Sequence, residues 1–402
     1  MRAKAFGYFE LGYALGNVAL IYDSAAIILP TTPIDEIPPL SAAKDVMAAA
    51  LQMFDSSLAY TNSPDVANGA NGFPIPGGWV SGSDMPVATF QKVVRSYKAR
   101  FRANVARTPA ERNAVNWDAV IADTQNGITT DFIVNADATL GWALGWRSQL
   151  GVDATWSQMT PMILGMADTT LAYDAWLQTP LDKRVPFLLR TPDKRFPAGE
   201  TRAIQSAIQG SSRAGTPIGS ILYYINRPSG DDKIAEPWGT WFYDNWRFWG
   251  PRAAGGNGPV TAFTRAENDL LQAEGQYRKG NIAAAAALID KTRGPAGLPL
   301  LSGVITTATQ QVPGGSACVP RVPQPPSYTT TACGTILEAL KWEKRVETAF
   351  TGYAQWWLDS RGWGDLVEGT ALEWAVPWQE LFARLGPTYT NTLRAAKGNY
   401  GL

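Results

Sequence analysis

The side chains best suited to bind a ligand lie between positions 236 and 258, where the sequence reads EPWGTWFYDNWRFWGPRAAGGNG. Flat aromatic rings stack on the apolar faces of sugar rings, and nearby polar groups hydrogen-bond to hydroxyls. An apolar platform with a few polar groups is the usual composition of a ligand site. The segment therefore predicts ligand contacts from Trp238, Trp241, Tyr243, Asp244, Asn245, Trp246 and Trp249.

The same segment has a second interpretation, in which alternate residues fill the core of a small hairpin. The residues concerned are Trp241, Tyr243 and Trp246. Outside the segment, Trp79 follows a Pro-Gly-Gly turn and is another candidate for ligand contact. Three further tryptophans are spaced close to helical periodicity and are expected in a core: Trp142, Trp146 and Trp156.

The composition excludes several kinds of chemistry. The chain has no histidine, which removes Ser-His-Asp triads and histidine-based zinc sites. It has 35 basic and 35 acidic residues without a Lys/Arg block, so nucleic acid is not an expected partner. No metal-binding motif and no cofactor are predicted. An enzyme remains conceivable as a helical glycoside hydrolase, which needs two carboxylates about 5 to 9.5 Å apart. The nearby carboxylates are Asp231, Asp232, Glu236 and Asp244.

The two cysteines, Cys318 and Cys333, enclose the segment VPRVPQPPSYTTTA, which is too rich in Pro and Thr to be helical. A disulfide across this loop would stabilise the fold by about 3 kcal/mol in the chain-entropy model and would indicate an oxidising compartment. The alternative is two unpaired thiols in a cytosolic loop.

The elements that must position these residues are mainly helical. The clearest pair runs from Thr264 to Leu298, where Thr264 and Glu267 form a capping box, Gly280-Asn281 supplies a left-handed turn and Gly294-Pro295 ends the second helix. Two antiparallel helices joined by a short turn, with alanines at their contact, are typical of a tetratricopeptide-like unit.

Further helices are predicted at 4–21, 41–60, 85–107, 116–125, 159–177, 335–350, 378–384 and 391–397. Residues 129–259 lose this periodicity and predict an irregular, loop-rich lobe. We therefore expect residues 1–128 and 260–402 to form the N- and C-terminal parts of one lobe of helical pairs, with the cysteine loop at 302–334. No run of 18 apolar residues occurs, so no membrane span is predicted.

Residues 336–370 and the following LEWAVPWQELF resemble the C-terminal signature of the SusD/RagB family of outer-membrane nutrient-uptake lipoproteins. Thr351 departs from the signature, which usually has Glu before the Gly. Two more segments are similar to the family's helices, AENDLLQAEGQYRKGN and AKAFGYFELGYALG. The matching signature positions are Glu343, Arg345, Glu347, Phe350, Gly352, Trp356, Asp359, Arg361, Trp363, Val376, Pro377, Glu380 and Leu381. Four of them are expected to form a buried ion-pair network: Arg345, Glu347, Asp359 and Arg361.

The resemblance implies a non-enzymatic protein that binds glycans or oligosaccharides, or another nutrient such as a peptide, at the cell surface. It further implies delivery to a SusC-like TonB-dependent transporter and a peripheral position on the extracellular face of the outer membrane. The family's signal peptide, lipobox cysteine and first helices have no counterpart here, so the N-terminal portion is expected to be missing. The alternatives from other classes are the glycoside hydrolase and a tetratricopeptide-like scaffold for protein partners.

Overall fold

The computed structural model describes residues 1–63, 72–142, 160–209, 222–226, 243–248, 257–352 and 354–401. The predicted mainly helical class is confirmed. In chain order the helices of these residues are α1 (Arg2–Ile21), α2 (Ala43–Thr61), α3 (Gly77–Val80), α4 (Val87–Asn104), α5 (Pro109–Asn113), α6 (Trp117–Gln125), α7 (Pro161–Leu164), α8 (Ala172–Gln178), α9 (Arg202–Gln209), α10 (Arg265–Arg278), α11 (Ile282–Arg293), α12 (Ile336–Thr348), α13 (Gln355–Trp363) and α14 (Trp378–Ala383).

Strands in the described ranges are short and pair two by two in antiparallel fashion. The pairs are β1 (Ser24–Ala26) with β2 (Leu40–Ala42), β3 (Phe132–Ala136) with β6 (Gly258–Phe263), β4 (Tyr224–Asn226) with β5 (Tyr243–Asn245), and β7 (Arg321–Pro323) with β8 (Thr331–Cys333). Because each pair has only two strands, the core depends on helix packing and on loops that fold back against the helices.

The chain divides into two compact units. Unit 1 contains residues 1–129 and 356–400, and unit 2 contains residues 130–355 with Gly401. Residues 260–355, which the sequence pattern groups with the N-terminal helices, thus lie in unit 2. No helix of the described ranges is both long enough and apolar enough to cross a membrane.

The core of unit 1 forms where α1 packs against α2 and α4. Gly16 of α1 lies directly against the Phe101 ring, and an added Cβ there would come within 2.4 Å of it. A glycine is therefore required for this close approach. The ring packing continues with the Phe9 ring 5.8 Å from that of Phe54 and 5.7 Å from that of Tyr97. The predicted ends of α1, α2, α4 and α6 are confirmed to within one turn.

The helical pair of unit 2 is formed by α10 and α11, as predicted. The Glu267 amide donates to the Thr264 hydroxyl at 3.0 Å, and Gly280 has a φ of +80° in the turn. Leu270 and Ala273 of α10 and Ile289 of α11 are fully buried. Local capping and the apolar stripe therefore agree with the tertiary packing, which is why the sequence pattern predicts this helical pair correctly.

The helix predicted for 159–177 is wrong as a single element. It is replaced by α7 and α8, which are separated by a 3-10 turn and by Leu171 in the left-handed region at φ +64°. The Tyr173 hydroxyl donates to the Met162 carbonyl at 2.6 Å, and the Asp168 carboxylate accepts from the Tyr173 amide at 3.1 Å. These hydrogen bonds fold the chain back on itself and outweigh the local helical periodicity.

The short helix predicted for 391–397 is also wrong. The backbone of Arg394 instead forms a bridge with that of Ala371, and the Leu372 amide donates to the Leu393 carbonyl at 3.2 Å. The Asn391 side chain donates to the carboxylates of Asp23 and Glu373 at 2.9 and 2.8 Å. Backbone pairing with residues 369–372 and these side-chain bonds hold the segment extended.

Candidate functional site

The pair formed by β4 and β5 carries the described part of the predicted ligand segment. Tyr224 pairs with Asn245, Ile225 with Asp244, and Asn226 with Tyr243, and all six residues are buried. Of the predicted contacts, Trp238, Trp241 and Trp249 lie outside the described residues. The geometry of the site is therefore built from Tyr243, Asp244, Asn245 and Trp246 and from what packs against them.

Tyr243 is fixed by hydrogen bonds inside unit 2. Its hydroxyl donates to Gln205 Oε1 at 2.7 Å and accepts from the Leu189 amide at 3.1 Å. Burial raises the pKa of Tyr243, so the phenol stays protonated and keeps its donor. This side chain anchors β5 instead of facing solvent.

Trp246 follows β5 and is also buried. Its indole packs with Ile225 and Leu222, and its amide donates to the Tyr223 carbonyl at 2.7 Å. The positions of Tyr243 and Trp246 fit the hairpin-core interpretation of the segment. Ligand contact from Trp238, Trp241 and Trp249, which fall outside the described residues, stays a prediction.

The two polar residues of the segment are buried as well. Asp244 is 2% exposed, and Asn245 Oδ1 accepts from the Arg247 amide at 3.1 Å. The Asn245 Nδ2 group finds no acceptor among the described residues. A buried amide donor that lacks a protein partner is satisfied by water or by a ligand oxygen.

Arg247 connects the segment to helix α12. Its Nη1 donates to the Glu347 carbonyl at 2.8 Å, and its Nη2 lies 3.1 Å from the Glu347 carboxylate. The guanidinium also lies 4.2 Å above the Tyr223 ring, a cation–π contact. Burial acts to lower the pKa of Arg247, but the Glu347 carboxylate outweighs it and raises that pKa above its usual value.

A buried ion-pair network surrounds Glu347 in unit 2. The Arg195 guanidinium lies 2.7 Å from Asp193, 2.8 Å from Glu343 and 3.1 Å from Glu347, with no solvent exposure of its own. Burial acts to lower the pKa of Arg195, but these three carboxylates hold that pKa well above its usual value. The cluster fixes α12 to the loop that carries Arg195.

The predicted network of Arg345, Glu347, Asp359 and Arg361 needs correction in its partners. All four are buried, but Glu347 pairs with Arg195 and Arg247 in unit 2. Asp359 pairs in unit 1 with Arg112 at 3.2 Å, and Arg361 donates to the carbonyls of Leu372 and Asn104. The arginines that neutralise the signature carboxylates are distant in sequence, so spacing within the signature could not identify them.

Trp79, the second candidate for ligand contact, lies on α3 and is 38% exposed. Its ring centroid is 5.4 Å from that of Phe6, and the Arg2 guanidinium lies 5.3 Å from it. Among the described residues that are predicted to contact a ligand, Trp79 is therefore the one that solvent reaches. Arg2 and Phe6 already cover part of its indole.

Sequence reasoning missed a group of exposed aromatic residues in unit 1. Trp378 and Phe382 are 61% and 73% exposed, and we name them the C-terminal aromatic patch. The rings of Trp378 and Phe382, four residues apart on α14, lie 6.5 Å from each other. The available signal was the length of α14, because a helix of one and a half turns cannot bury residues on all its sides.

Cys318 and Cys333 are joined by a disulfide, with their Cα atoms 5.7 Å apart. The β7–β8 pair, in which Arg321 is opposite Cys333, lies inside the loop that the disulfide closes. The Arg321 guanidinium donates to the Thr331 carbonyl at 3.0 Å and thereby connects the two strands further.

No protein-family model matches the chain, and no curated protein matches it. Similar solved structures include a SusD homologue from Parabacteroides distasonis, with a TM-score of 0.49 and 14% identity over 89% of this chain and 68% of that one. A SusD-like carbohydrate-binding protein from Bacteroides fragilis has a TM-score of 0.48 and 11% identity, covering 100% of this chain and 75% of the other. A SusD superfamily protein from Bacteroides vulgatus has a TM-score of 0.46 and 14% identity, covering 90% and 67%. All three carry the SusD name, and SusD/RagB is the family whose signature the C-terminal segment resembles.

Proposed function

We propose that this protein binds glycans or oligosaccharides at the extracellular face of the outer membrane and delivers them to a SusC-like TonB-dependent transporter. The observation that carries the proposal is the anchored strand β5 within the tryptophan-rich segment. Tyr243 and Trp246 are held in the interior of unit 2 by hydrogen bonds and packing. Trp241 lies two residues before Tyr243, and Trp249 lies three residues after Trp246.

Anchoring matters for affinity because a contact residue that is already ordered loses less conformational entropy when a ligand binds. The buried hydrogen bonds of Tyr243 and the ion pair of Arg247 with Glu347 fix the described residues of the segment, 243–248. The buried Asn245 amide has no acceptor among the described residues, and a bridging water would satisfy it.

We propose that the protein binds glycans without cleaving them. A glycoside hydrolase needs a pair of carboxylates in contact with its substrate. Four carboxylates lie near the tryptophans in the sequence, and Asp244 is the one that belongs to the described residues. Because Asp244 is buried, it does not contact a substrate. Glu343 and Glu347 are committed to Arg195.

The transporter would contact the C-terminal aromatic patch of unit 1. Large exposed aromatic side chains that lie close together are typical of protein interaction sites. Trp378 and Phe382 present their rings on one side of α14. This assignment is compatible with the alternative of a protein-interaction scaffold, because a helical protein can bind a protein partner through one surface and a glycan through another.

The glycan proposal is tested by calorimetric titration with oligosaccharides selected on a glycan array, while the products are monitored for cleavage. Single substitutions W238A, W241A and W249A should each weaken binding by about 1 to 3 kcal/mol, as expected for truncation of packed aromatic anchors. No cleavage product should form. The control is Y173F, which removes a buried hydroxyl outside the tryptophan-rich segment and should lower stability while leaving affinity unchanged.

The opposite pattern would contradict the proposal. If the three tryptophan variants unfold at markedly lower temperature and the folded fraction retains its affinity, these tryptophans are core residues. Ligand contact would then have to come from Trp79, the half-exposed candidate on α3.

A further inference from the structure

Helix α12 presents two carboxylates to Arg195, and they differ in their other contacts. Glu343 and Glu347 lie one turn apart, 2.8 and 3.1 Å from the Arg195 guanidinium. Among the described residues, Glu343 has no hydrogen bond or ion pair with β4, β5 or the residues next to them. Glu347 contacts Tyr223, which directly precedes β4, and Arg247, which follows β5. The second carboxylate therefore joins the tryptophan-rich segment to α12.

Arg247 binds Glu347 at two points. Its Nη1 donates to the Glu347 carbonyl at 2.8 Å, and its Nη2 lies 3.1 Å from the Glu347 carboxylate. Glu347 is the penultimate residue of α12, so its carbonyl is one of the last four, which have no partner inside the helix. A planar guanidinium that binds a backbone and a side-chain acceptor of one residue is fixed in both position and orientation.

The same carboxylate binds the other strand of the pair through Tyr223. The Tyr223 hydroxyl donates to Glu347 Oε2 at 3.0 Å, and the Tyr223 carbonyl accepts from the Trp246 amide at 2.7 Å. Because Tyr224 is opposite Asn245 in the register, Tyr223 and Arg247 lie at the same end of the β4–β5 pair. Glu347 thus holds both strands at that end.

Both oxygens of the Glu347 carboxylate are used inside the protein. Oε1 accepts from Arg195, and Oε2 takes the Tyr223 hydroxyl and the Arg247 guanidinium. Glu347 and Tyr223 are buried, so water and salt screen these contacts much less than they screen a surface ion pair. Glu347 therefore affects a ligand only through the residues that it holds.

We infer that Glu347 is a positioning residue for glycan binding, whereas Glu343 contributes to the stability of unit 2 alone. Through Arg247 and Tyr223, Glu347 sets the conformation of residues 243–248, and the tryptophans on both sides of these residues depend on it for their placement. Residues that are already held in place lose less conformational entropy when a ligand binds. The inference rests on the proposed function, which assigns the glycan contacts to this segment.

The test compares E347Q with E343Q in the full chain. Each variant removes one carboxylate from Arg195, so both should lower the melting temperature. Hydrogen–deuterium exchange of the amides of residues 243–248 should become faster in E347Q and stay unchanged in E343Q. Calorimetric titration uses the oligosaccharide selected on the glycan array with the wild type. Its affinity should fall about tenfold in E347Q and less than about twofold in E343Q.

A double-mutant cycle tests whether Glu347 acts through Arg247. R247Q should weaken binding of the same oligosaccharide about as much as E347Q, and the double variant should lose no more than either single variant. R247K keeps the positive charge, but a lysine cannot bind a carbonyl and a carboxylate through a fork of two nitrogens. R247K should therefore bind as weakly as R247Q. If E347Q does not fold, R247Q against E343Q makes the same comparison, because R247Q leaves Glu347 paired with Arg195.

Three results would overturn the inference: equal effects of E343Q and E347Q on exchange and affinity, additive losses in the cycle, or wild-type affinity in R247K. Failure of the proposed function looks different. If the wild type binds no oligosaccharide, the proposed function and this inference are both wrong. If W241A weakens binding while E347Q and R247Q leave it unchanged, the proposed function stands and the positioning role alone is wrong.

Discussion

At the scale of single residues, the strongest constraint in unit 2 is Arg195. Its guanidinium is fully buried among Asp193, Glu343 and Glu347, and the Trp342 indole donates to Asp193 at 3.1 Å. Burying a charge is costly unless opposite charges and hydrogen bonds compensate. Removal of Arg195 would leave Asp193 without its ion-pair partner, Glu343 with only Arg293 at 3.8 Å and Glu347 with only Arg247 at 3.1 Å.

The substitution R195M keeps most of the side-chain volume and removes this charge. We expect it to lower the free energy of unfolding by about 3 to 5 kcal/mol, the usual effect of breaking a buried ion pair. Urea denaturation followed by circular dichroism measures the change. The control is R190M, which breaks the solvent-exposed pair with Glu200 and should cost about 0 to 1 kcal/mol. A similar small loss in both variants would show that the buried network does not stabilise the fold.

At the scale of elements, the α10–α11 pair shows how local signals define a helix. Thr264 caps the first turn of α10, and Gly280 takes the left-handed conformation of the turn with open space around it. The last turn of α11 carries Lys291 and Arg293, which interact favourably with the helix dipole. Each of these features acts over a few residues, so each is visible in the sequence.

The cap can be tested by substituting Thr264. T264A removes the hydroxyl that accepts from the Glu267 amide and should lower the free energy of unfolding by about 1 kcal/mol. T264S keeps an acceptor and should stay within a few tenths of a kcal/mol of the wild type. Denaturant unfolding of the three proteins gives the comparison. Equal destabilisation by Ala and Ser would mean that packing of the buried Thr264 methyl group, and not the cap, is what matters.

At the scale of the whole molecule, the contrast is between buried and exposed aromatic residues. In unit 2, the described aromatic residues of β4 and β5 are buried, and the ring of Tyr224 stacks on that of Phe196 at 4.5 Å. In unit 1, the C-terminal aromatic patch remains in contact with solvent. Burial of apolar surface is favourable, so this exposed patch is the surface that we propose for contact with a transporter.

The double variant W378A/F382A tests this surface. It should reduce co-purification with the proposed TonB-dependent transporter from outer membranes by more than tenfold, because both rings would lose their contact area with that partner. Thermal stability and glycan affinity should stay unchanged, since the two side chains are largely exposed. L140A, which truncates an exposed leucine in unit 2, is the control. Undiminished co-purification of the double variant would remove the patch from the proposed interface.

The helical class and most helix positions could be predicted from the sequence. Thr264 with Glu267 forms its predicted capping bond at 3.0 Å, and Thr108 with Glu111, which have the same spacing, form one at 3.2 Å. Propensities, caps and apolar periodicity are properties of neighbouring residues, so a linear sequence contains them.

Only the tertiary structure decided which aromatic residues face solvent and which charges meet. Tyr243 is buried because Gln205 and Leu189, more than thirty residues earlier in the chain, hydrogen-bond its hydroxyl. The signature carboxylate Glu347 is paired with Arg195, and Asp359 lies 3.2 Å from Arg112, 247 residues earlier in the chain. Such contacts join residues that are far apart along the chain, and their energy depends on burial and distance, which no local pattern specifies.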